Sequence, residues 1–383
     1  MPAYADLFSH DRSFTVGVEE EYMLCHPTTG DLVPRADSIL ARLDEDERER
    51  FSYELILSEI EINTPVSETV NEAMGHIRHF RGRVRDMGRE LGFRIGISGT
   101  HPTALGDEQQ FVDSPGYQWV AEQLHYYARR NITFAIHVHV ALPDAEAAIA
   151  ATNAARRWLA PLLALSTNSP FFRARNTGML SARTFQFGAF PRTNIPGTFR
   201  DFEHFREVLE TYMTMESIRL PRHIWWKIRP HAGYGTVEFR VSDMQRSLKR
   251  TEMLVALGQA ICHRIFRDLH NNHLQQDFEL EYLNDALWKA TRFGFDARMA
   301  DPNDHQIITI AEQVEKLVIY VRPSLAELGT ENVVATVEEV LECGSEAREQ
   351  LDVHASEGFA GLKAMLMDKV DFGDEVNQKG VIL

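Results

Sequence analysis

Ionisable side chains, mostly glutamates and histidines, recur at every second position in four short segments of this sequence. They are Glu19 and Glu21 in the first segment, Glu59 and Glu61 in the second, His137 and His139 in the third, and Glu238 with Arg240 in the fourth. Side chains two positions apart share one face of a β-strand, so each segment predicts a strand with one ionisable face. Carboxylates with imidazoles and without thiolates suit hard divalent cations such as Mg²⁺ or Mn²⁺. The pattern therefore indicates metal-dependent chemistry.

The positions between these residues are mostly apolar, which supports the strand assignment. The predicted strands are Thr15 to Met23, Ser58 to Asn63, Ile132 to Val140, and Gly235 to Ser242. Glu20 breaks the pattern, because it falls among the apolar side chains of the first strand. An antiparallel sheet with one solvent-exposed face would also alternate between apolar and polar side chains. Its polar positions, however, would mix lysine, threonine and serine with glutamate, which differs from the residues found here.

Four or five carboxylates on one sheet face would repel one another and raise their pKa values unless cations lie among them. A divalent metal cluster is the natural counterion, and substrate phosphates commonly complete the shell of Mg²⁺. This favours a nucleoside triphosphate as substrate. The sequence has no Gly-x-x-x-x-Gly-Lys-Ser/Thr loop, no Gly-x-Gly-x-x-Gly after a strand, no Gly-x-Ser-x-Gly elbow and no His-Glu-x-x-His helix. An ATP site must therefore be built on a different fold.

The sequence resembles the glutamate–cysteine ligase type 2 family, often called carboxylate–amine ligases, in four segments taken in order. These segments are Gly17-Val-Glu-Glu-Glu-Tyr22, Glu59-Ile-Glu-Ile-Asn-Thr-Pro65, His137-Val-His-Val140 and Thr236-Val-Glu-Phe-Arg240. The resemblance extends from about Phe14 to the C-terminal helices. It implies an α+β fold with a glutamine synthetase/guanido kinase-like core, in which a curved antiparallel sheet lines a funnel for ATP and metals. Helices would cover the outer face of that sheet.

Carried over position by position, the resemblance implies a role for each matched residue. The implied metal ligands are Glu19, Glu21, Glu61, His137 and Glu238. Glu238 matches a carboxylate that bridges metals, and Arg240 matches an arginine at the transferred phosphoryl group, so both are implied as catalytic. The implied cofactors are ATP and Mg²⁺, or Mn²⁺ in its place.

Three further residues keep two interpretations each. Glu54 matches another metal ligand, but its strand parity disagrees with that of Glu61 unless a bulge intervenes. Glu59 is either part of the site or a solvated neighbour. His139 either contacts the substrate or forms a structural hydrogen bond.

The stretch from Ser166 to Phe199 is too long and irregular for an ordinary connection, and loops of this length are usually functional or disordered. Its aromatic residues argue against disorder. Candidates for contacts with phosphates or a substrate carboxylate are Arg173, Arg175, Asn176, Arg183 and Arg192, with Lys227 and Arg229 as further phosphate candidates. Salt bridges on the surface are the alternative for each arginine. The family typically has Asp-Thr-Gly where this chain has Asn176-Thr-Gly178, which leaves the amine specificity open.

Two amphipathic patterns predict the helices that must support the sheet. Apolar residues recur at three- and four-residue steps from Ser67 to Leu91, and Gly92 follows as a stop. The same pattern spans Ser247 to Leu269. Because no repeat or linker is visible, we expect one catalytic domain over residues 1–383. Its sheet-bearing core would occupy about 14–245 and a mostly helical portion about 246–383.

The charge balance restricts the partners. The 383 residues include 40 basic and 56 acidic side chains, a formal net charge of −16, which argues against non-specific binding to nucleic acid or anionic membranes. Cys25, Cys262 and Cys343 are widely spaced and odd in number, so we expect reduced thiols. Without a targeting pattern or a long apolar run, we expect a cytoplasmic protein with small-molecule substrates, with a homodimer as one option for its assembly.

The resemblance implies ATP-dependent ligation of the γ-carboxylate of glutamate to the amino group of cysteine, through an acyl phosphate. Two alternatives stay open. The first is a metal-dependent amide or peptide hydrolase in which His137, His139 and carboxylates activate water, although the zinc-type helix motif is missing. The second is a non-catalytic binding protein that retains the fold, although every matched carboxylate is present.

Overall fold

The computed structural model describes residues 4–8 and 13–373. The strands within these ranges are β1 Val16–Cys25, β2 Phe51–Ser52, β3 Glu59–Asn63, β4 Arg94–Gly96, β5 Ile136–Ala141, β6 Phe171–Phe172, β7 Arg175–Asn176, β8 Ile228–His231, β9 Thr236–Phe239, β10 Arg298–Ala300 and β11 Ile307–Thr309. One seven-stranded antiparallel sheet has the order β2-β3-β1-β5-β9-β8, and β4 pairs with β1. The pairs β6–β7 and β10–β11 form two small separate sheets.

Helices cover one face of the large sheet and form most of the chain beyond it. They are α1 Ala36–Leu40, α2 Glu45–Arg48, α3 Val70–Leu91, α4 Pro115–Leu124, α5 Tyr126–Arg129, α6 Ala145–Ala155, α7 Leu159–Ser166, α8 Ala182–Gly188, α9 Phe202–Thr214, α10 Leu248–His270, α11 Leu280–Phe293, α12 Ile310–Glu327, α13 Val333–Cys343 and α14 Glu346–Asp368. Helices α3, α6 and α10 pack directly against strands of the sheet. The expected α+β class is confirmed. Among the described residues, no helix combines the length and hydrophobicity needed to cross a bilayer.

Both helices predicted from the sequence are present with nearly the expected ends. In α3, the Thr69 side chain accepts a hydrogen bond from the backbone N–H of Glu72 and so caps the N-terminus. Gly92 ends the helix in the left-handed conformation, with φ 73°. Helix α10 begins at Leu248, directly after Ser247, and ends at His270. These two helices carry the apolar faces that pack on the sheet.

The register of the sheet brings ionisable residues of different strands opposite one another. The directly paired residues are Glu19 and His137 across β1–β5, Glu21 and Glu61 across β1–β3, His139 and Glu238 across β5–β9, and Arg229 and Glu238 across β8–β9. Paired residues point to the same face of a sheet. The ionisable residues of β1, β3, β5, β8 and β9 therefore lie on one face of the sheet, and the helices cover the opposite face.

The residue that broke the sequence pattern, Glu20, is held on the helix side by a buried ion pair. Arg81 of α3 donates from Nε to Oε2 of Glu20 at 2.9 Å, and its Nη2 approaches Oε1 at 2.5 Å. Both side chains have 0% exposure. The hydroxyl of Tyr22 also donates to Glu20, and Arg81 donates to the carbonyl oxygens of Arg246 and Asp371. Glu20 therefore anchors the back of β1 rather than taking part in the opposite face.

Candidate active site

A cavity of about 820 Å³ lies over the ionisable face of the sheet. The residues of the sheet that line it are Glu19, Glu21, Phe51, Ser52, Glu59, Glu61, His137, Arg229 and His231, and Arg240, directly after β9, lines it as well. Loops and short helices add further lining residues, namely Tyr53, Glu54, Tyr117, Val120, Asn131, Thr133, Arg183, Phe187, Phe190, Arg222, Trp225 and Tyr234. The cysteines are elsewhere: Cys25 and Cys262 are buried and Cys343 is exposed, and none of them lines the cavity.

Two overlapping groups of side chains have the geometry of metal sites. In each group, one ligand atom from every residue lies within 4.8 Å of the others. The first group is Glu19, His137 and Glu238, and the second is Glu21, Glu61 and His137. The structure thus brings together all five residues that the sequence resemblance implies as metal ligands.

His137 is shared by the two groups and is fixed by a hydrogen bond. Its Nδ1 lies 2.8 Å from Oε2 of Glu19, and its Nε2 lies 3.9 Å from Oε1 of Glu21. Burial, followed by the charge of Arg240, lowers the pKa of His137 to about 4, so the ring is neutral at pH 7. A neutral imidazole that donates from Nδ1 to Glu19 presents the Nε2 lone pair toward Glu21, as a metal ligand does.

The carboxylates of the second group carry strongly raised pKa values. Burial, and then the charge of Glu54, raises the pKa of Glu21 to about 8. Burial and neighbouring carboxylates also raise the pKa values of Glu59 and Glu61 well above the usual range. Such a cluster fits divalent cations, which would replace the protons. The donors are oxygens with one imidazole, a set that suits Mg²⁺ or Mn²⁺.

Glu54 and Glu59 both belong to the cavity wall. Glu54 lies in the loop between β2 and β3, so strand parity does not govern its direction and the expected bulge is unnecessary. Glu59 is only 3% exposed, and its Oε1 has no hydrogen-bond partner among the described residues. The interpretation of Glu59 as a solvated neighbour is therefore wrong.

Two arginines each bind one carboxylate oxygen of Glu238. Nε of Arg229 lies 2.5 Å from Oε2 of Glu238, and Nη1 of Arg240 donates to Oε1. Burial raises the pKa of Glu238, but the charges of these two arginines outweigh it and hold the pKa well below its usual range. Nε of Arg240 has no hydrogen-bond partner in the described part of the chain. Glu238 is thus ionised, with two guanidinium groups facing the cavity beside it.

His139 is tied into the sheet rather than into the cavity lining. Its Nδ1 lies 2.9 Å from the hydroxyl oxygen of Thr236, and its Nε2 lies 3.2 Å from Oε1 of Glu19. Burial lowers the pKa of His139, but the charges of Glu19 and Glu238 outweigh it, and the pKa is raised. These contacts favour the structural hydrogen bond over a direct substrate contact.

Among the basic candidates outside the strands, Arg183 lines the cavity, and Lys227 lies next to the lining residue Phe187 without lining the cavity itself. Arg183 lies on α8, is 2% exposed, and donates to the main-chain oxygens of Val241 and Arg240. Lys227 precedes β8 and is 3% exposed, and its Nζ has no hydrogen-bond partner within the described ranges. Burial, and then the charge of Arg183, lowers the pKa of Lys227 to about 7. Nζ lies 5.4 Å from the ring centroid of Phe187, which lines the cavity.

The remaining candidates are not brought to the cavity. Arg173, Arg175 and Asn176 are exposed on the β6–β7 hairpin and do not line it. The hairpin is held on the side of α14, because the ring of Phe171 packs at 4.5 Å from His354 and 5.5 Å from Phe359. Arg192 is half-buried against Tyr212 of α9, with the guanidinium carbon 5.9 Å from the ring centroid. The structure gives no support to phosphate contacts by these four residues.

With the geometry established, sequence comparison identifies the family. The family model described as glutamate-cysteine ligase family 2 (GCS2) matches residues 15–363. The chain belongs to this family. It is therefore a ligase of the glutamate–cysteine ligase family, the ATP-dependent carboxylate–amine ligases.

Relatives match over nearly their full length. The chain is 35% identical over 358 residues to a protein of Rubrobacter xylanophilus with the provisional name glutamate–cysteine ligase 2-1, which covers 93% of this chain and 94% of the relative. It is 32% identical over 370 residues to a protein of Solibacter usitatus with the provisional name glutamate–cysteine ligase 2, covering 94% of each chain.

Solved structures share the fold at low sequence identity. The glutamate–cysteine ligase of Francisella tularensis, crystallised with AMP, superimposes with a TM-score of 0.72 at 10% identity, over 94% of this chain and 88% of that chain. A bifunctional glutathione synthetase of Pasteurella multocida superimposes with a TM-score of 0.63 at 15% identity, over 96% of this chain and 51% of that chain. The glutamine synthetase-like ligase fold expected from the sequence is thereby confirmed.

Several cavity residues were missed by sequence reasoning. His231 shares the alternating face of β8 with Arg229, so the pattern that found the glutamates could also have found it. The aromatic residues Tyr117, Phe187 and Trp225 lie in loops or short helices, where no periodicity marks them. Their position depends on how these segments pack over the sheet.

A second cavity of about 350 Å³ adjoins the first. The two share Arg222, Arg229, His231 and Tyr234, and the rest of the second cavity is mainly apolar, including Phe205, Leu209, Leu220, Ile224 and Trp226. The rings of His231 and Tyr234 are stacked at 4.4 Å between the two cavities. The site is therefore a charged main chamber with an apolar recess at the β8 edge.

Proposed function

We propose that this protein joins the γ-carboxylate of glutamate to an amino group with cleavage of ATP, and that cysteine, which appears in the names of its relatives, is the first acceptor to test. The observation that carries this proposal is the pair of overlapping metal-ligand groups beside Arg229 and Arg240, of which every member except the fully buried Glu238 lines one cavity. Divalent cations and guanidinium groups both suit the binding of a triphosphate and the stabilisation of phosphoryl transfer.

The metal-ligand groups would hold Mg²⁺ or Mn²⁺. The residues concerned are Glu19, Glu21, Glu61, His137 and Glu238, with Glu54 and Glu59 beside them. The bound ions would neutralise the triphosphate and the developing charge during phosphoryl transfer. Their fit is supported by the raised pKa of Glu21 and by the unpartnered Oε1 of Glu59, since both mark a surplus of negative charge.

Arg240 and Arg229 would stabilise the phosphoryl group as it is transferred. An oxygen of the glutamate γ-carboxylate attacks the γ-phosphorus, the bond to the β-phosphate oxygen breaks, and ADP leaves. The product is an acyl phosphate. The acceptor amine, once deprotonated, then attacks the carbonyl carbon, and phosphate leaves as the carbon–oxygen bond breaks. This sequence needs no protein nucleophile, which agrees with a cavity that no cysteine lines.

The apolar recess would receive the nucleoside base. It opens beside Arg229, so a triphosphate that reaches the metal ligands would leave its base near the stacked rings of His231 and Tyr234. Planar bases bind well against aromatic and apolar side chains. Trp226 and Phe205 extend that apolar surface.

The proposal is tested by measuring ADP release with ATP and Mg²⁺ across a panel of amino-acid donors and amine acceptors. We expect ADP only when glutamate and an acceptor are both present, with a γ-glutamyl product detected by mass spectrometry. Chelation of the metal with EDTA should abolish it. Amide cleavage without nucleotide would favour the hydrolase alternative. No ADP with any pair would favour a non-catalytic protein.

A further inference from the structure

A small apolar cluster, separate from the main core, borders the main cavity. Trp119, Val120 and Phe190 are buried in it, and Phe187 and Trp225 pack against it. Four of these side chains also line the cavity, and we refer to them as the aromatic wall: Val120, Phe187, Phe190 and Trp225. Val120 comes from α4, Phe187 and Phe190 come from α8 and the loop directly after it, and Trp225 comes from the loop before β8, so three separate segments converge on this wall.

The side chains of the aromatic wall are only partly covered by the rest of the protein. Phe187 and Trp225 are only half-buried, and the surface they leave uncovered faces the cavity. Apolar surface that lines a concave site favours the binding of an apolar ligand group, because burying that surface contributes to the binding free energy. A ligand with an apolar side chain would complete the packing of this cluster.

Three basic side chains lie near the same part of the wall. The guanidinium carbons of Arg183 and Arg240 lie 6.0 Å from the ring centroid of Phe187, and Nζ of Lys227 lies 5.4 Å from it. The nearest carboxylate to Arg183 is that of Asp243, which is occupied by hydrogen bonds from neighbouring backbone and hydroxyl groups.

Lys227 is the most informative of these basic side chains. It is 97% removed from solvent, and its Nζ lacks a hydrogen-bond partner among the described residues. A buried amino group without a partner is costly, and a ligand carboxylate would supply the missing contact. Arg183 lines the cavity beside the aromatic wall, and Lys227, which does not line it, lies directly next to Phe187.

We propose that the acceptor is an α-amino acid with an apolar side chain larger than that of cysteine. Its carboxylate would bind beside Lys227 and Arg183, and its side chain would cover the aromatic wall. This inference rests on the proposed function, because it names the second substrate of that ligation. A cysteine side chain has one heavy atom beyond Cβ, too small to cover a wall built by several large side chains.

The first test compares acceptors at saturating ATP, Mg²⁺ and glutamate. We expect kcat/KM to rise from glycine through alanine and cysteine to leucine and phenylalanine, by roughly fourfold for each buried methylene. Isoamylamine, which is leucine without its carboxylate, should be at least about tenfold poorer than leucine. The variant Lys227→Met should remove that difference between leucine and isoamylamine.

The second test removes the wall itself. Phe187→Ser should lower kcat/KM for leucine by about tenfold or more and leave alanine within about twofold, because only the larger side chain reaches the ring. Phe185→Ser is the matched control, since Phe185 lies on the same helix, is 42% exposed and does not line the cavity. If circular dichroism shows that Phe187→Ser does not fold, Trp225→Ser provides the same test.

The outcomes separate this inference from the proposed function. ADP formation with cysteine or alanine at least as efficient as with leucine and phenylalanine overturns the inference alone. No ADP with any acceptor overturns the proposed function. In that event calorimetry decides about the wall: selective binding of leucine over alanine, lost in Phe187→Ser, would support an apolar amino-acid site. Equal binding of leucine and alanine would overturn it.

Discussion

Glu19 and His137 face each other across β1 and β5, and the distance from Nδ1 of the imidazole to Oε2 of the carboxylate is 2.8 Å. This contact sets the tilt of the ring and leaves Nε2 directed at Glu21, 3.9 Å away. His137 belongs to both candidate ligand groups, and its hydrogen bond to Glu19 fixes the orientation of the ring for both. A change in either partner should disturb both metal positions.

Removing the charge of one ligand without changing its shape should abolish turnover. We expect Glu61→Gln and Glu238→Gln each to lower ADP formation by about 100-fold or more, with the circular dichroism spectrum unchanged. The amide keeps the volume but binds a divalent cation much more weakly than a carboxylate. Glu339→Gln is the control, since Glu339 is exposed on α13. Near-normal turnover by both active-site variants would contradict the metal-cluster interpretation.

Mg²⁺ should stabilise the protein more at alkaline than at acidic pH. The pKa of Glu21 is raised from 4.5 to about 8, so the stability that its protonated form contributes is complete below about pH 4.5 and is lost as the pH rises through about 8. Metal and proton compete for the same oxygens. We therefore expect Mg²⁺ to raise Tm by a few degrees more at about pH 8.5 than at about pH 6.

Differential scanning fluorimetry with and without Mg²⁺ measures this effect. In the double variant Glu21→Gln with Glu61→Gln, the pH dependence of the Mg²⁺ effect should disappear, because the carboxyl groups that exchange protons for metal are gone. An equal Mg²⁺ effect at both pH values in the unmodified protein would show that these carboxylates do not bind the ion.

Strand alternation was enough to predict much of this site, because a period of two places side chains on a face whatever the rest of the fold does. It identified Glu19, Glu21 and His137 and the face that they share. The apolar stripe from Ser67 to Leu91 and the following Gly92 likewise predicted a helix, which is present as α3. These are local signals, carried by neighbours in the sequence.

What could not be predicted depends on contacts between distant parts of the chain. Glu20 stood out as an exception, but its partner Arg81 is 61 residues away and no local pattern links them. The β6–β7 hairpin was expected at the site because of its arginines, yet Phe171 fixes it against α14. Lys227 likewise lies against Phe187 of α8, a residue far from it in the sequence, with 5.4 Å between Nζ and the ring centroid.

Breaking the buried ion pair behind β1 should be strongly destabilising. Arg81→Met leaves the carboxylate of Glu20 buried without its partner, and we expect a loss of about 3–5 kcal/mol in the free energy of unfolding. The double variant Arg81→Met with Glu20→Leu should recover part of that loss, because neither charge then remains. Urea denaturation followed by circular dichroism measures all three proteins.

The exposed pair Arg89 and Asp86 supplies the control for this cycle. Arg89 is 65% exposed, so Arg89→Met should cost less than about 1 kcal/mol. If the double variant were no more stable than Arg81→Met alone, the loss would arise from the missing hydrogen bonds of Arg81 to the carbonyl oxygens of Arg246 and Asp371.

The four arginines of the loop between Ser166 and Phe199 should differ sharply in function, although the sequence treats them alike. Arg183 is buried at the cavity and held by two main-chain oxygens, so Arg183→Gln should raise KM for the amino-acid substrates by about tenfold or more.

Arg173→Gln and Arg175→Gln should keep kcat and KM within about twofold, because both side chains are exposed on the hairpin outside the cavity. Steady-state kinetics of the three variants measures the difference. A similar loss in all three would mean that the hairpin moves onto the cavity when substrates bind, and a loss confined to the hairpin variants would remove Arg183 from the site.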